Sequence, residues 1–334
     1  MEMTMLTAKY AKWVDPKQAN SKLTAFVAKM TQVIALPLTG ILGFLLLWSI
    51  AANHIDTSLG KFPGPQAVFT QIGNLYHEHV AEREKALVFY QRQDVRNLQR
   101  VAEDPDYIPK IRQYTGKETF FDQIITSLIT VLSGFILAAL IAVPLGITLG
   151  LSRGLSAAIN PLIQLFKPVS PLAWLPLVTM VVSAVYVTDD PLVAKSFITS
   201  VITVMLCSLW PMVINTTQGV ASVEQDLVNV SRVLSLSPLK HVQKIVLPAS
   251  LPMIFTGMRL SLSVAWMVLI AAEMLAQSPG LGKFVWDEFQ NGSSESLSRI
   301  MTAVLVIGLI GLLLDKAMLQ LQQLLSWDKS TQGK

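Results

Sequence analysis

The 334-residue chain reads as an all-α integral membrane protein with about six transmembrane helices. Three observations predict this. Hydrophobic residues make up 52% of the chain and charged residues only 14%, whereas a soluble domain is about one quarter charged. The mean hydropathy is +0.50. Long apolar stretches recur, most of them near or beyond the ~20 residues a helix needs to cross the hydrocarbon. The formal net charge of +4 is modest, and there is no long basic block or aromatic-basic motif. A nucleic-acid partner is therefore excluded, and membrane lipid is the expected surrounding. Cys207 is the one cysteine and lies in an apolar run, where it reads as a small buried hydrophobe.

The spans fall near 33–52, 124–151, 172–187, 196–220, 251–276 and 300–321. The first reads as an anchor. Its hydrophilic leader is too long for the n-region of a signal peptide, and its apolar run too long for an h-region. The chain thus divides into a leader (1–30), a first transmembrane helix (31–53), a charged insert (54–120), a transmembrane core (121–325) and a tail (326–334). Five leader lysines from Lys9 to Lys29, then Arg153 and Lys167, then Arg232, Lys240 and Lys244, then Lys316 and Lys329 share one side if six spans alternate. By the positive-inside rule that side is the cytoplasm, and it holds both termini. Asp189, Asp190, Lys195, Asp287, Glu288 and Glu295 fall opposite.

Residues 75–118 are highly charged, but their charges balance, and so long a loop does not set orientation. Within it, 81–102 is predicted helical from Leu87, Val95, Leu98 and Val101. Arg92, Arg96 and Arg100 stack on one face, read here as a solvated surface rather than a docking strip. His77-x-His79 lacks a third ligand and reads as exposed loop, not as a metal site.

Between the fourth and fifth spans lies a short basic interlude. Val223, Leu227, Val230 and Leu234 share one helical face, expected to pack on the bundle. Ser237 is placed to cap a second helix with Pro238 at its first position, and Leu239, Val242, Ile245 and Val246 form its apolar stripe. Pro248 is expected to end that helix or redirect it. Such a pair of helices lies on lipid headgroups or fills a groove on a partner.

This interlude resembles the EAA loop of ABC importer permeases. Asn229-Val230-Ser231 takes the EAA place, Ser235 the glycine place, and Ile245-Val246-Leu247-Pro248 the I-x-L-P ending. Further stretches resemble the nitrate and bicarbonate branch of that family: SPLAWLPL (170–177), WPMVINTTQGV (210–220), LSLSPLKHVQKIVLPASLPMIFTGMRL (234–260), VLIAAEML (268–275) and GLLLD (311–315). FPGP (62–65) resembles the branch's lead-in after the first span. The leader and the 75–118 segment are not covered. The resemblance implies the type I ABC importer (MetI-like) permease fold with cytoplasmic coupling helices at 223–247. It also implies that Asn229, Val230, Ser231, Leu234, Ser235, Leu239, Val242, Ile245, Leu247 and Pro248 meet an ATPase. Serine in place of glycine at 235 costs about 1 kcal/mol if the turn needs positive φ, so a differently built turn is expected.

The chain has no Walker A sequence; Gly282-Lys283 runs into Phe284. It is therefore expected to be non-catalytic and to bind no cofactor, with ATP-Mg held by the partner. The implied partners are two ABC ATPase subunits, a periplasmic or lipid-anchored substrate-binding protein and a second, identical permease copy. The implied cargo is a small oxyanion, nitrate first, then bicarbonate, cyanate or a sulfonate such as taurine. Prolines and glycines mark bends in the spans, Pro144, Gly146 and Gly150 in the second, and Trp174 and Pro176 read either as a gate or as ordinary kinked packing. Arg259, Ser263, Trp266, Ile270 and Glu273 share one helical face. Arg259 is placed to snorkel, and Glu273 reads as structural or gating. Asn215, Thr216 and Thr217 are placed to bond between helices or to a passing oxyanion. The alternative to an ATP-driven permease is a secondary transporter of a small anion, which calls for inverted repeats and midplane ion sites.

Overall fold

The computed structural model describes residues 35–57, 60–104, 106–187, 193–293 and 295–325. The leader, the tail with Lys329, and the loop acids Asp189 and Asp190 lie outside the described residues. The chain forms two compact units that divide after Phe69.

In the first unit, α1 (Leu36–His54) is followed by a two-stranded antiparallel hairpin, β1 (Asp56–Thr57) and β2 (Gly60–Lys61). The Trp48 indole donates to the Pro63 carbonyl at 3.1 Å, which fixes the FPGP turn against the end of α1. Pro65 then opens α2 (Pro65–Glu103), where a fixed φ and a missing N–H cost nothing. The expected helix at 81–102 is only the second half of this 39-residue helix.

In the second unit, residues 106–119 return along α2 in extended form. The Arg112 N–H donates to Gln93 Oε1 at 2.8 Å and the Tyr114 hydroxyl to Glu82 Oε1 at 2.7 Å. His79 Nδ1 lies 2.6 Å from the Thr119 hydroxyl. No group of three metal-binding side chains exists among the described residues. Thr119 and Asp122 form a capping box at the start of α3 (Phe120–Leu151).

After α3 come α4 (Arg153–Phe166) and α5 (Pro171–Val185), bent 98° from each other. The expected loop at 152–170 is thus largely a helix, capped by Ser152, whose hydroxyl accepts from the Leu155 N–H. Proline at 168 and 171 disfavours helical backbone before each ring, so the chain turns there and restarts with Ser170 as cap. At 15 residues, α5 is about 22 Å long, short of the ~30 Å hydrocarbon.

Next are α6 (Lys195–Ala221), α7 (Gln225–Val233), α8 (Pro238–Ala276), α9 (Leu281–Asn291) and α10 (Ser296–Leu325). Among the described residues, five helices are long and apolar enough to cross a membrane, or six if α4 and α5 make one broken span. Pro248 does not end its helix. Helical backbone runs through Val246 and Leu247, and a π-turn at Val242–Val246 precedes the proline. One widened turn accommodates the missing N–H and the ring, so α8 continues from the interlude into the span.

The centre of the unit is α6, held between α3 and α8. Gly134, Ala138, Ala142, Gly146 and Gly150 form a stripe of small residues four apart on α3. A Cβ at Gly134 would lie 2.9 Å from the Val201 carbonyl oxygen, and one at Gly146 2.6 Å from Thr216 Cβ. On the other side, a Cβ at Gly257 of α8 would lie 2.7 Å from Asn215 Cβ. The stripe brings backbones into direct contact, which is how helices gain attraction where lipid tails are as apolar as leucine. Gly146 and Gly150, expected to mark bends, serve this packing instead.

Replacing Gly134 with leucine should force α3 off α6 and cost at least the 1–3 kcal/mol typical of overpacking. Gly40→Leu in α1, where nothing lies within 4 Å, should be neutral. Thermal unfolding of the two variants in detergent measures the difference.

Candidate functional site

The interlude forms a projecting corner. α7 has nine residues and ends in a Schellman turn. The Leu236 N–H bonds the Ser231 carbonyl at 3.1 Å, and the Ser235 N–H bonds that of Arg232 at 3.0 Å. Ser235 has φ 47°, so it adopts the left-handed conformation that glycine adopts freely. The turn is built in the glycine manner after all. Ser237 stands at the cap position of α8 but its hydroxyl makes no capping bond.

His241 Nδ1 lies 2.7 Å from the buried Ser231 hydroxyl and ties α7 to the first turn of α8. The apolar face behaves otherwise than expected. Leu227 and Val230 are exposed rather than packed on the bundle, and Val233, Leu234 and Leu239 are exposed by 84%, 63% and 67%. Asn229 and Pro248 are also exposed, while Val242, Ile245 and Leu247 are half-buried and Val246 is buried. The small polar Ser231 and Val246 therefore make the inward contact, leaving the leucines outward.

The polar face of α8 packs inward as well. Arg259 is held by a carboxylate. Its Nε and Nη2 donate to the two carboxylate oxygens of Asp315 in α10 at 2.6 and 2.9 Å. One level up, the Trp266 indole donates to the Ile307 carbonyl at 3.0 Å. Glu273 is buried and its carboxylate accepts from the Ser127 hydroxyl at 2.7 Å and from the Gly282 N–H at 2.9 Å. The same Ser127 oxygen accepts from the Leu281 N–H at 2.9 Å. Glu273 and Ser127 together thus cap the first turn of α9, where a carboxylate meets unpaired N–H groups. Gly280, at φ 153°, and Gly282 leave room for the carboxylate.

Sequence reasoning missed Arg299, Glu78, Glu288 and Ser127. Arg299 donates through Nη1 and Nη2 to Glu78 of α2 at 2.6 and 3.1 Å, and through Nε to Glu288 of α9 at 2.6 Å. No spacing signal joins residues 78 and 299. A lone arginine at the mouth of an apolar run, with acids in the facing loops, is the signal that was present.

Phe166 stacks on Trp210 with centroids 6.0 Å apart, and Trp174 adjoins it at 5.9 Å. Trp174 Nε1 and Trp210 Nε1 are buried without a partner among the described residues. Asn215 donates to the Pro211 carbonyl of its own helix at 2.8 Å. Thr216 and Thr217 have buried hydroxyls without partners among the described residues, so this trio forms no interhelical bonds. Pro176 is exposed on α5 and lines a cavity between α5, the start of α6 and the end of α8.

Comparison with known proteins decides the family. Residues 142–327 match the model described as "binding-protein-dependent transport system inner membrane component". The chain belongs to this permease family. A bicarbonate transport system permease protein, CmpB of Synechococcus elongatus, is 36% identical over 291 residues, 87% of this chain and 88% of its own. A nitrate import permease protein, NrtB of Leptolyngbya laminosa, is 36% identical over 66% of this chain and 75% of its own. The MetNI methionine ABC transporter, in an inward-facing structure, matches with a TM-score of 0.54 at 13% identity, over 61% of this permease and 95% of the matched chain. That likeness supports the fold, which is the one the sequence predicted. The permease is a multi-pass inner-membrane protein.

Two outcomes follow for the permease. Ser235→Gly should relieve about 1 kcal/mol of left-handed strain and raise the unfolding temperature, read by thermal unfolding in detergent. The Arg299 guanidinium, by hydrogen bond and charge, holds the Glu78 carboxyl below the usual carboxylate range. A lowered value in the folded state means that the stabilisation is present in full above the ordinary carboxylate value. It is lost as pH falls through the lowered value. Hydrogen exchange of α2 should therefore be flat from neutral pH to about pH 5 and rise in more acid solution. In Glu78→Gln this acid response should shrink.

Proposed function

We propose that this chain is the membrane-spanning subunit of an ATP-driven importer of a small oxyanion, nitrate or bicarbonate, and that α7 with the first turn of α8 is the knob gripped by an ATPase subunit. The observation that carries this is the exposed apolar corner of Val233, Leu234 and Leu239 beside Arg232 and Lys240. A helix of nine residues has little stability alone. Held by Ser231 and His241 at a rigid turn, it offers those side chains to a groove. Family membership and the named relatives supply the cargo class, because their printed substrates are bicarbonate and nitrate.

The chain itself binds no ATP, for it has no Walker A sequence. ATP-Mg is hydrolysed by two partner ATPase subunits on the cytoplasmic side, the side of both chain termini and of the 223–247 interlude. A substrate-binding protein, free in the periplasm or lipid-anchored, docks opposite, where the 54–120 segment lies. A second identical copy completes the pathway. ATPase closure pushes the α7 corner, and the push passes along α6 and α8, rocking the spans between inward and outward access. Trp174 and Pro176, at the broken α4–α5 span, are the proposed gate. Asn215 and Thr216 on α6, and Arg259, Trp266 and Glu273 on α8, belong to the framework around it. A secondary transporter needs free ionisable groups at midplane. Here Glu273 and Asp315 are both committed to internal partners.

Leu234→Asp together with Leu239→Asp should abolish ATPase capture by more than tenfold while insertion is unchanged. Co-purification with the ATPase and substrate-stimulated ATP hydrolysis read this. Full capture by a well-inserted double variant would overturn the assignment and leave the corner as a lipid-surface element.

A further inference from the structure

The cavity beside Pro176 holds about 790 Å³ and is lined by α5, the first turns of α6 and the end of α8. Most of its wall is apolar, as expected inside a membrane protein. Five lining residues are polar. Lys195 is its one charged lining residue among the described residues, and Ser183, Ser196 and Thr199 also line it. None of these four side chains has a hydrogen-bond or ion-pair partner among the described residues. A fifth polar residue, Thr179, spends its hydroxyl on the Leu175 carbonyl of its own helix. Thr199 is only 3% exposed, and its hydroxyl has no partner among the described residues.

Lys195 and Ser183 are exposed, Ser196 is half-buried and Thr199 is buried, so the group runs from the mouth of the cavity to its wall. Arg259 and Arg299 each bind carboxylates in fixed geometry, whereas Lys195 has no described carboxylate beside it. Lys195 also stands at the first position of α6, where a cation opposes the helix dipole, and Ala194 before it provides no side-chain acceptor. An ammonium and hydroxyls facing one space, next to uncapped N–H groups, form a donor set for a negatively charged, oxygen-rich guest.

We propose that this cavity is an oxyanion station of the permease itself, with Lys195 supplying the charge and Thr199, Ser183 and Ser196 the neutral donors. The guest is a small monovalent oxyanion such as nitrate or bicarbonate. The proposal rests on the reading of the chain as an anion importer. It adds that the permease, and not only a binding protein, recognises the ion. The station, at about 790 Å³, is wide for so small an ion, so its hold is weak and release is fast, as transit requires.

The test uses the complete importer, with its ATPase and binding protein, in proteoliposomes supplied with nitrate or bicarbonate. Ions delivered per ATP hydrolysed is the quantity to measure. Lys195→Met should lower that ratio about tenfold, the size expected for one charge-assisted hydrogen bond. Lys195→Arg should restore most of it, and Thr199→Val should lower it severalfold. An unchanged ratio in Lys195→Met overturns the station, and so does an equal fall in the methionine and arginine variants, which would make position rather than charge the requirement. Where Lys195→Met fails to insert, Thr199→Val carries the same decision. A wild-type importer that moves neither ion refutes the anion-importer reading itself, and the station falls with it. Transport by wild type with an indifferent Lys195→Met refutes the station alone.

Discussion

The contact on which the second unit depends is the close approach of α6 to α3 on one side and to α8 on the other. Inside lipid, one apolar helix gains no hydrophobic advantage from leaving the tails for another helix. What remains is dispersion, which falls away within a fraction of an ångström of lost contact. Gly134, Gly146 and Gly150 on α3, and Gly257 on α8, remove the side chains that would hold the backbones apart. Other features are hung on that sandwich. The start of α6 forms one wall of the Lys195 cavity. The end of α6 and the start of α8 carry α7 between them. A force applied to α7 thus reaches both central helices at once.

The polar groups of α8 and α10 act as fasteners. Along α10 they occur at three heights: Arg299, the Ile307 carbonyl and Asp315. With Glu273 capping α9, they bind α8, α9 and α10 into one hydrogen-bonded body. The seam between α3 and α6 relies instead on the fit of small residues. A packed apolar seam can shear by small steps, while a bidentate ion pair in low dielectric resists parting.

Legibility in the sequence followed the range of the interaction. The spans could be read because apolar length is a local property, and the interlude because its leucines and prolines stand within a few residues of each other. The positive φ at Ser235 was posed as a condition on the right residue, and the turn satisfies it with serine. The failures were of another kind. Pro248 was expected to end or redirect a helix, but a π-turn absorbed the lost bond and the helix continues, a remedy with no signature in composition. The pairing of Arg259 with Asp315 was not legible, because the two lie 56 residues apart. Ser127 looked like one hydroxyl among many, yet it meets Glu273 across 146 residues. Gly146 and Gly150 were seen but read as bends, since one sequence shows spacing and not what the spacing faces.

Exposed leucine alone says little about α7, because any membrane protein exposes apolar side chains to lipid. The surroundings distinguish it. Glu224, Asp226, Arg232, Lys240 and Lys244 crowd the same short stretch, so it lies outside the hydrocarbon, where bare leucine is unfavourable. A helix that floats on headgroups presents one continuous apolar face along its length. Here Val233, Leu234 and Leu239 lie on both sides of a sharp left-handed turn, and the helix before it has only nine residues. A flat lipid surface meets such a corner at a point, whereas a groove surrounds it on several sides and buries more of the same side chains. The area gained in a groove, and the rigidity given by Ser231 and His241, both favour a protein partner over the membrane surface.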